Sequence, residues 1–366
     1  MIRMDKQEYR KNAGDMLYLA ACAINGRTPS AGRISRMDLD SVFYVCEKHC
    51  LTAAAAYGLE AAGVKHPDFV QAKEKAVRKN ILLDVERGSI LRRLEAEGIW
   101  YMPLKGVLLK DWYPKLGMRQ MSDNDILFDS EKRERVREIM EELGFTCDHY
   151  GVGWDDAYFK EPVSNFEMHV ELFTVNHEDK LYNYYRNVKE RLIKDKKNNF
   201  GYHFSDEDFY IYITAHEYKH FIKGGTGVRS LLDAFIYMNR FGDKLDREYI
   251  DAELGKLGIA EFEKSNRELA MKLFSFEKLS NEDKKVLDYY VTSGTYGTVK
   301  HKVDNADSKL KFVMKRIIPP MEIIQVYYPF VYRHKYLLPF LQVYRFFKAV
   351  SVSRHKVVAE LRALIK

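Results

Sequence analysis

The sequence predicts an α+β fold: a small mixed β-sheet flanked by helical N-terminal and C-terminal parts. Three observations carry that expectation. Apolar residues recur at helical spacing through roughly the first hundred residues and again beyond residue 205. Between these regions, short apolar runs alternate with polar residues at a period of two, as half-buried strands require. Gly98, Gly106 and Gly144 stand at the joints between the two kinds of pattern.

Composition narrows the class. A chain of 366 residues with 46% apolar and 13% aromatic content can bury more than one core. No run reaches the ~18 apolar residues of a membrane span. The opening Met1-Ile2-Arg3-Met4-Asp5-Lys6 is charged and gives no secretory leader, so the cytosol is the expected compartment. Four cysteines make no disulfide framework at this length, and Cys46-x-x-x-Cys50 in an apolar helical pattern reads as core. The net charge of +6 is uneven: residues 309–366 hold twelve Lys/Arg against Glu322 and Glu360, a local +10 that leaves −4 elsewhere.

In chain order, helices are expected at 7–24, at 38–62 and from Pro67 to Gly98, the last with an apolar face of Ile81, Leu82, Val85, Ile90, Leu91 and Leu94. Residues 99–104 read as a strand, Lys105-Gly106 as a turn, and 107–112 as a short helix stopped before Pro114. A strand at 123–128 precedes a helix with Val136, Ile139, Met140 and Leu143 on its apolar face. Strands follow at 145–148, 157–161 and 165–173. Ser205 opens a helix through about Phe221, and four more cover 228–240, 246–257, 260–275 and 282–291. The expected organisation is a helical region at 1–80, an α/β core at 81–180, a helical domain at 181–293, and a basic helical segment at 309–366 after a flexible linker at 294–308.

The chemistry concentrates at Asp123-Asn124-Asp125. Carboxylates at i and i+2 on a strand share a face, and paired anions repel unless a cation lies between them. Two divalent ions about 3.5–4 Å apart both neutralise a triphosphate and activate an attacking hydroxyl. Magnesium, with manganese as second choice, takes carboxylate oxygens and retained waters. A third carboxylate must come from a neighbouring strand. Glu167 and Glu171 share the face that also carries His169, and period two leaves the choice between them open. Lys105-Gly106 fits a phosphate-binding turn, Gly106 letting the backbone approach, and Arg119 stands four residues before the Asp pair, within reach of phosphate.

Leu104-Lys105-Gly106, Tyr113-Pro114, Arg119 and Asp123-Asn124-Asp125-Ile126-Leu127 resemble the DNA-polymerase-β-type nucleotidyltransferase superfamily, in particular its branch of bacterial proteins with an LKG turn. The resemblance implies that Glu167 is the third metal ligand and that His169 is a site residue, through Glu167-Met168-His169. It also implies paired helical histidines and a following aspartate at the nucleotide, met here by His216, His220 and Asp233. One departure stands out: Lys105-Gly106 replaces the Gly-Ser that usually holds the γ-phosphate. The activity implied is transfer of a nucleoside monophosphate from a triphosphate, ATP first, to a hydroxyl acceptor. Small molecule, glycan precursor, tRNA and protein all fit as acceptor.

Two other patterns compete. His216-Glu217-Tyr218-Lys219-His220 matches the zinc-hydrolase H-E-x-x-H, although Lys219 puts a cation inside it and no extended third histidine follows. The basic tail interleaves Tyr328, Tyr332, Arg333, Lys335, Tyr336, Tyr344 and Arg345, a mixture that suits nucleic acid or anionic lipid. A non-catalytic nucleotide- or RNA-binding protein of the same fold is the alternative that this tail keeps open.

Overall fold

The computed structural model describes residues 4–151, 153–174, 179–295, 297–298, 301, 321, 324–325 and 328–352. Most of the predicted linker, and residues 309–320, 322–323, 326–327 and 353–366 of the basic segment, lie outside the described residues.

Five helices come first: α1 (Lys6–Ile24), α2 (Ala31–Ile34), α3 (Leu39–His49), α4 (Thr52–Ala61) and α5 (Pro67–Ala96). The single helix expected at 38–62 is therefore two. Cys50 caps α3 with φ of 53°, a left-handed conformation that ends the helical ladder without a glycine. The apolar face of α5 also differs from expectation. Phe69, Ala76, Asn80, Leu83, Ile90 and Leu94 face inward, whereas Ile81, Leu82 and Val85 are exposed.

The core then follows as β1 (Tyr101–Pro103), α6 (Gly106–Leu109), β2 (Asn124–Phe128), α7 (Arg133–Glu142), β3 (Thr146–His149), β4 (Asp155–Lys160) and β5 (Ser164–His169). These strands form one mixed sheet in the order β1-β2-β5-β4-β3. The β2–β5 pair is parallel and the remaining neighbours are antiparallel. Beyond the sheet come α8 (Asp179–Tyr185), a two-stranded ribbon of β6 (Ile193–Lys194) and β7 (Tyr202–His203), and five helices: α9 (Asp206–Gly224), α10 (Arg229–Phe241), α11 (Arg247–Leu257), α12 (Ala260–Phe274) and α13 (Asn281–Ser293). Among the described residues of the basic segment are α14 (Pro329–Arg333) and α15 (Leu338–Val352), where Phe330, Tyr336, Phe340 and Tyr344 are exposed.

Strand alternation sorts the sheet into two chemically different faces. Ile126, Phe128, Phe166 and Met168 point to one side, where they pack with Leu83 and Ile90 of α5 and with Val136, Ile139 and Met140 of α7. Asp125, Leu127, Glu167 and His169 take the other side. Leu127 there joins Met102 in an apolar cluster with Tyr210, Ile211 and Tyr212 of α9 and Leu254 of α11. A third cluster packs α1, α3 and α4 against Phe235, Phe274 and Tyr290, so the first helices share a core with α10, α12 and α13. Each large apolar side chain buried this way contributes about 1.5–3 kcal/mol.

Candidate active site

The site lies on the polar face of the sheet, where β2 and β5 run side by side. The parallel register sets Asp125 opposite Glu167 and Leu127 opposite His169. Glu171 stands beyond the end of β5 and is exposed, so the acidic residue beside Asp125 is Glu167. Asp123 lies one residue before β2 and lines the same cavity, a hollow of about 540 Å³ between this floor and α9. That volume is within the range of small-molecule sites.

The floor is held from behind by α5. Lys79 Nζ donates to the Ser122 carbonyl at 2.6 Å, and Asn80 Nδ2 donates to the Arg119 carbonyl at 3.3 Å. Asn124 Oδ1 accepts from Arg87 at 3.0 Å, and its Nδ2 donates to the Leu83 carbonyl at 3.3 Å. A polar residue in the middle of the Asp pair is thus satisfied by the helix behind the sheet.

Electrostatics on the floor are strained. Burial pushes Glu167 up to about 8, with Asp125 and Asp123 adding to the shift. Burial, then Asp125, raises Asp123 as well. Burial alone would raise Asp125, but the Lys105 ammonium and the hydrogen bond from His169 hold it well below the carboxylate range. The distances are 3.3 Å from Lys105 Nζ to Asp125 Oδ1 and 2.9 Å from His169 Nε2 to the same oxygen. Glu167 Oε2 lies 3.7 Å from His169 Nε2. Lys105 itself has φ of 42°, a conformation costing a non-glycine residue about 1–3 kcal/mol and common at functional sites.

This arrangement fits a divalent cation. Asp125, Glu167 and His169 each offer a ligand atom within 4.8 Å of the others, and Asp123 adds a carboxylate to the same cavity. Crowded carboxylates whose pKa values are raised by one another are stabilised by a cation among them. The oxygen-rich set suits a hard ion such as magnesium or manganese. His169 Nδ1 is buried with no hydrogen-bond partner among the described residues.

The remaining predicted residues divide. Arg119 and Asp233 of α10 meet in a fork, Nε to Oδ1 at 2.7 Å and Nη2 to Oδ2 at 2.9 Å, and Tyr113 donates to Asp233 at 2.7 Å. Both line the cavity, yet each is engaged by the other. Gly106 is needed beside them for space: a Cβ there would lie 2.6 Å from Arg119 Nη1. His216 and His220 come together on α9, Nε2 to Nε2 at 3.3 Å, facing the cavity. Burial, then the Lys105 and Lys219 ammonium groups, holds His216 far below the histidine range. His220 keeps an exposed edge, but the packed wall behind it and Lys219 lower it too.

Glu217, the would-be base of the zinc motif, instead accepts from Tyr290 at 2.7 Å and Asn266 at 3.2 Å, and burial raises it to about 7. Among the described residues no third His, Cys, Asp or Glu ligand joins His216 and His220. The pair therefore lacks the ligand set of a zinc hydrolase. Among the cavity residues that the sequence did not mark as part of the site are three charged ones. Asp155 is set opposite His169 by the β4–β5 register, Arg229 opens α10, and Lys219 sits buried on α9. Only Lys219, as the odd cation inside H-E-x-x-H, carried a sequence signal.

A mixed sheet with carboxylates on adjacent parallel strands, opening on a cavity walled by cations and neutral imidazoles, has the layout of a nucleotidyltransferase core. The family model described as an uncharacterised nucleotidyltransferase matches residues 35–275, and the chain belongs to that family. The match covers α3 and α4 as well as the sheet and most of the C-terminal helices. No curated protein and no solved structure matches the chain. The family supports a role in nucleotidyl transfer, and no helix of the described residues is long and apolar enough to cross a membrane.

Proposed function

We propose that this protein transfers a nucleoside monophosphate from a nucleoside triphosphate, ATP first, to a hydroxyl of its acceptor. The observation that supports this best is the Asp125–Glu167 pairing on adjacent parallel strands, with Asp123 beside it at the floor of the cavity. Asp123, Asp125 and Glu167 would hold two divalent ions, magnesium first, which when bound neutralise the triphosphate and acidify the acceptor hydroxyl. His169 donates from Nε2 to Asp125 Oδ1, which fixes the carboxylate's orientation. Lys105 offsets the charge of the same oxygen.

Glu167 is the proposed base. With an ion held beside it Glu167 would be ionised, and a carboxylate at that ion is placed to take the proton of a hydroxyl bound there. The acceptor oxygen forms a bond to the α-phosphorus, its proton passes to Glu167, and the α–β bridging oxygen leaves with the electron pair as pyrophosphate. The acceptor, whether small molecule, glycan precursor, tRNA or protein, enters from the open side of the cavity. The basic C-terminal segment is a candidate contact for a nucleic-acid acceptor, and the cytosol is the proposed compartment.

The test is transfer of label from α-³²P nucleoside triphosphates in the presence of Mg²⁺, with acceptors screened by pyrophosphate release. Asp123→Asn and Asp125→Asn should each lower transfer by at least 100-fold, about 3 kcal/mol of barrier. Transfer unchanged in the double variant would refute the assignment. Nucleotide binding without pyrophosphate release under any acceptor would favour a purely binding role.

A further inference from the structure

Lys105 and Arg119, the two cations that the sequence marks for phosphate, both have carboxylate partners, Asp125 and Asp233. On the opposite wall Lys219 does not. It is 8% exposed and lines the cavity, but it makes no hydrogen bond or ion pair among the described residues. Its Nζ lies 5.5 Å from the centroid of the Phe173 ring, a contact that replaces only part of the hydration a buried ammonium loses. Burial, then the repulsion of Lys105 and Lys223, pushes it down to about 7, against the weaker pull of Asp125 and Glu167 across the cavity, neither of which pairs with it. A buried cation without an anion is costly to keep, and such groups are retained where a ligand supplies the missing charge.

The cavity's charge layout identifies that ligand. Asp123, Asp125 and Glu167 form an acidic floor, which needs cations between it and any anion. Lys219, with the neutral His216 and His220 as hydrogen-bonding neighbours, faces it from α9. A polyphosphate spans such a gap, its reacting phosphate toward the floor and its distal phosphates toward the cation. A monophosphate has no group left for the far wall.

We propose that Lys219 holds the distal phosphates of the bound nucleoside triphosphate, the task that the absent Gly-Ser turn would otherwise perform. The inference rests on the nucleotidyl-transfer reading and adds to it the residue that selects a triphosphate over a monophosphate.

Calorimetric binding of ATP and AMP, each with Mg²⁺, to the full chain and to Lys219→Met and Lys219→Arg tests it. Lys219→Met should weaken ATP binding about 10- to 100-fold, the worth of one charge-assisted hydrogen bond, and leave AMP binding within about twofold. Lys219→Arg should keep most of the ATP affinity. Removing an ammonium that lacks an anion should also raise the Tm of the nucleotide-free protein. ATP binding unchanged in Lys219→Met overturns the role of Lys219 and leaves nucleotidyl transfer standing. Equal loss of ATP and AMP, or a fall in Tm, marks Lys219 as structural and overturns it as well. If the unaltered protein binds none of ATP, GTP, CTP and UTP, the nucleotidyl-transfer reading fails and the proposal with it.

Discussion

The Arg119–Asp233 fork makes a sharp prediction, because a phosphate ligand and a structural strut behave oppositely when cut. Both partners are nearly out of solvent, with side-chain exposures of 8% and 13%, and two parallel hydrogen bonds join them. An exposed ion pair contributes ~0–1 kcal/mol. Cutting a buried one strands a charge and costs about 3–5 kcal/mol. Arg119→Met should therefore lower stability by about 3–5 kcal/mol, leaving Asp233 with the Tyr113 hydroxyl alone. Against a total of about 5–15 kcal/mol that is a large share. Arg119→Met combined with Asp233→Leu removes both charges and should be more stable than Arg119→Met alone. It should still lack about 1–3 kcal/mol because the Tyr113 hydroxyl loses its acceptor. Urea unfolding followed by tryptophan fluorescence is the assay, since Trp112 packs against Phe209, Tyr237 and Phe241 next to the strut. A cost below about 1 kcal/mol for Arg119→Met, or a double variant whose cost equals the sum of the singles, would show that the fork is not a strut. Loss of triphosphate affinity at unchanged stability would return Arg119 to the phosphate-binding role that its spacing from Asp123 suggested.

Two further outcomes follow from the floor of the site. Glu167 rises from an ordinary 4.5 to about 8 on folding, so the native state binds more protons than the unfolded state between those values. Stability of the metal-free protein should then fall as pH rises through that window, the fall should flatten in Glu167→Gln, and added Mg²⁺ should raise Tm more at pH 8 than at pH 6. Gly106→Ala should cost about 1–3 kcal/mol in thermal unfolding despite alanine's helical advantage of about 1 kcal/mol, because the added Cβ meets the fixed Arg119 guanidinium. The cost should shrink in an Arg119→Met background.

Much of the sheet was legible in the sequence, because period two separates Asp125 and Leu127 from Ile126 and Phe128 without any knowledge of partners. The pairing of strands was not. Residues 125 and 167 are brought side by side by a parallel crossover, and nothing local to either strand encodes that neighbour. For the same reason periodicity could not separate Glu167 from Glu171: the difference is where β5 stops, which depends on its neighbours. The break at Cys50 was hidden because a left-handed residue other than glycine or asparagine carries little sequence signal. The face of α5 was misassigned because Ile81, Leu82 and Val85 look apolar, whereas the inward stripe includes Asn80, whose amide serves the Arg119 carbonyl. Lys219 was visible as a charge out of keeping with zinc, but what it faces depends on the packing of α9 over the sheet.

The rod-like α5, 30 residues and roughly 45 Å long, bears on how the cavity can move. Its side chains and backbone from Lys79, Asn80, Leu83 and Arg87 hold the chain at residues 119, 122 and 124, so four hydrogen bonds tie the segment that carries Asp123 and Asp125 to the helix. Any closure around a substrate would then fall to the opposite wall. Helix α9 ends at Gly224, and Gly225 follows with φ of 93° in a buried turn where a Cβ would collide with Ser293, so motion of α9 would carry that turn with it. Hydrogen exchange with and without nucleotide should change protection over 216–228 while leaving 79–87 still, and the reverse pattern would make the floor the moving part.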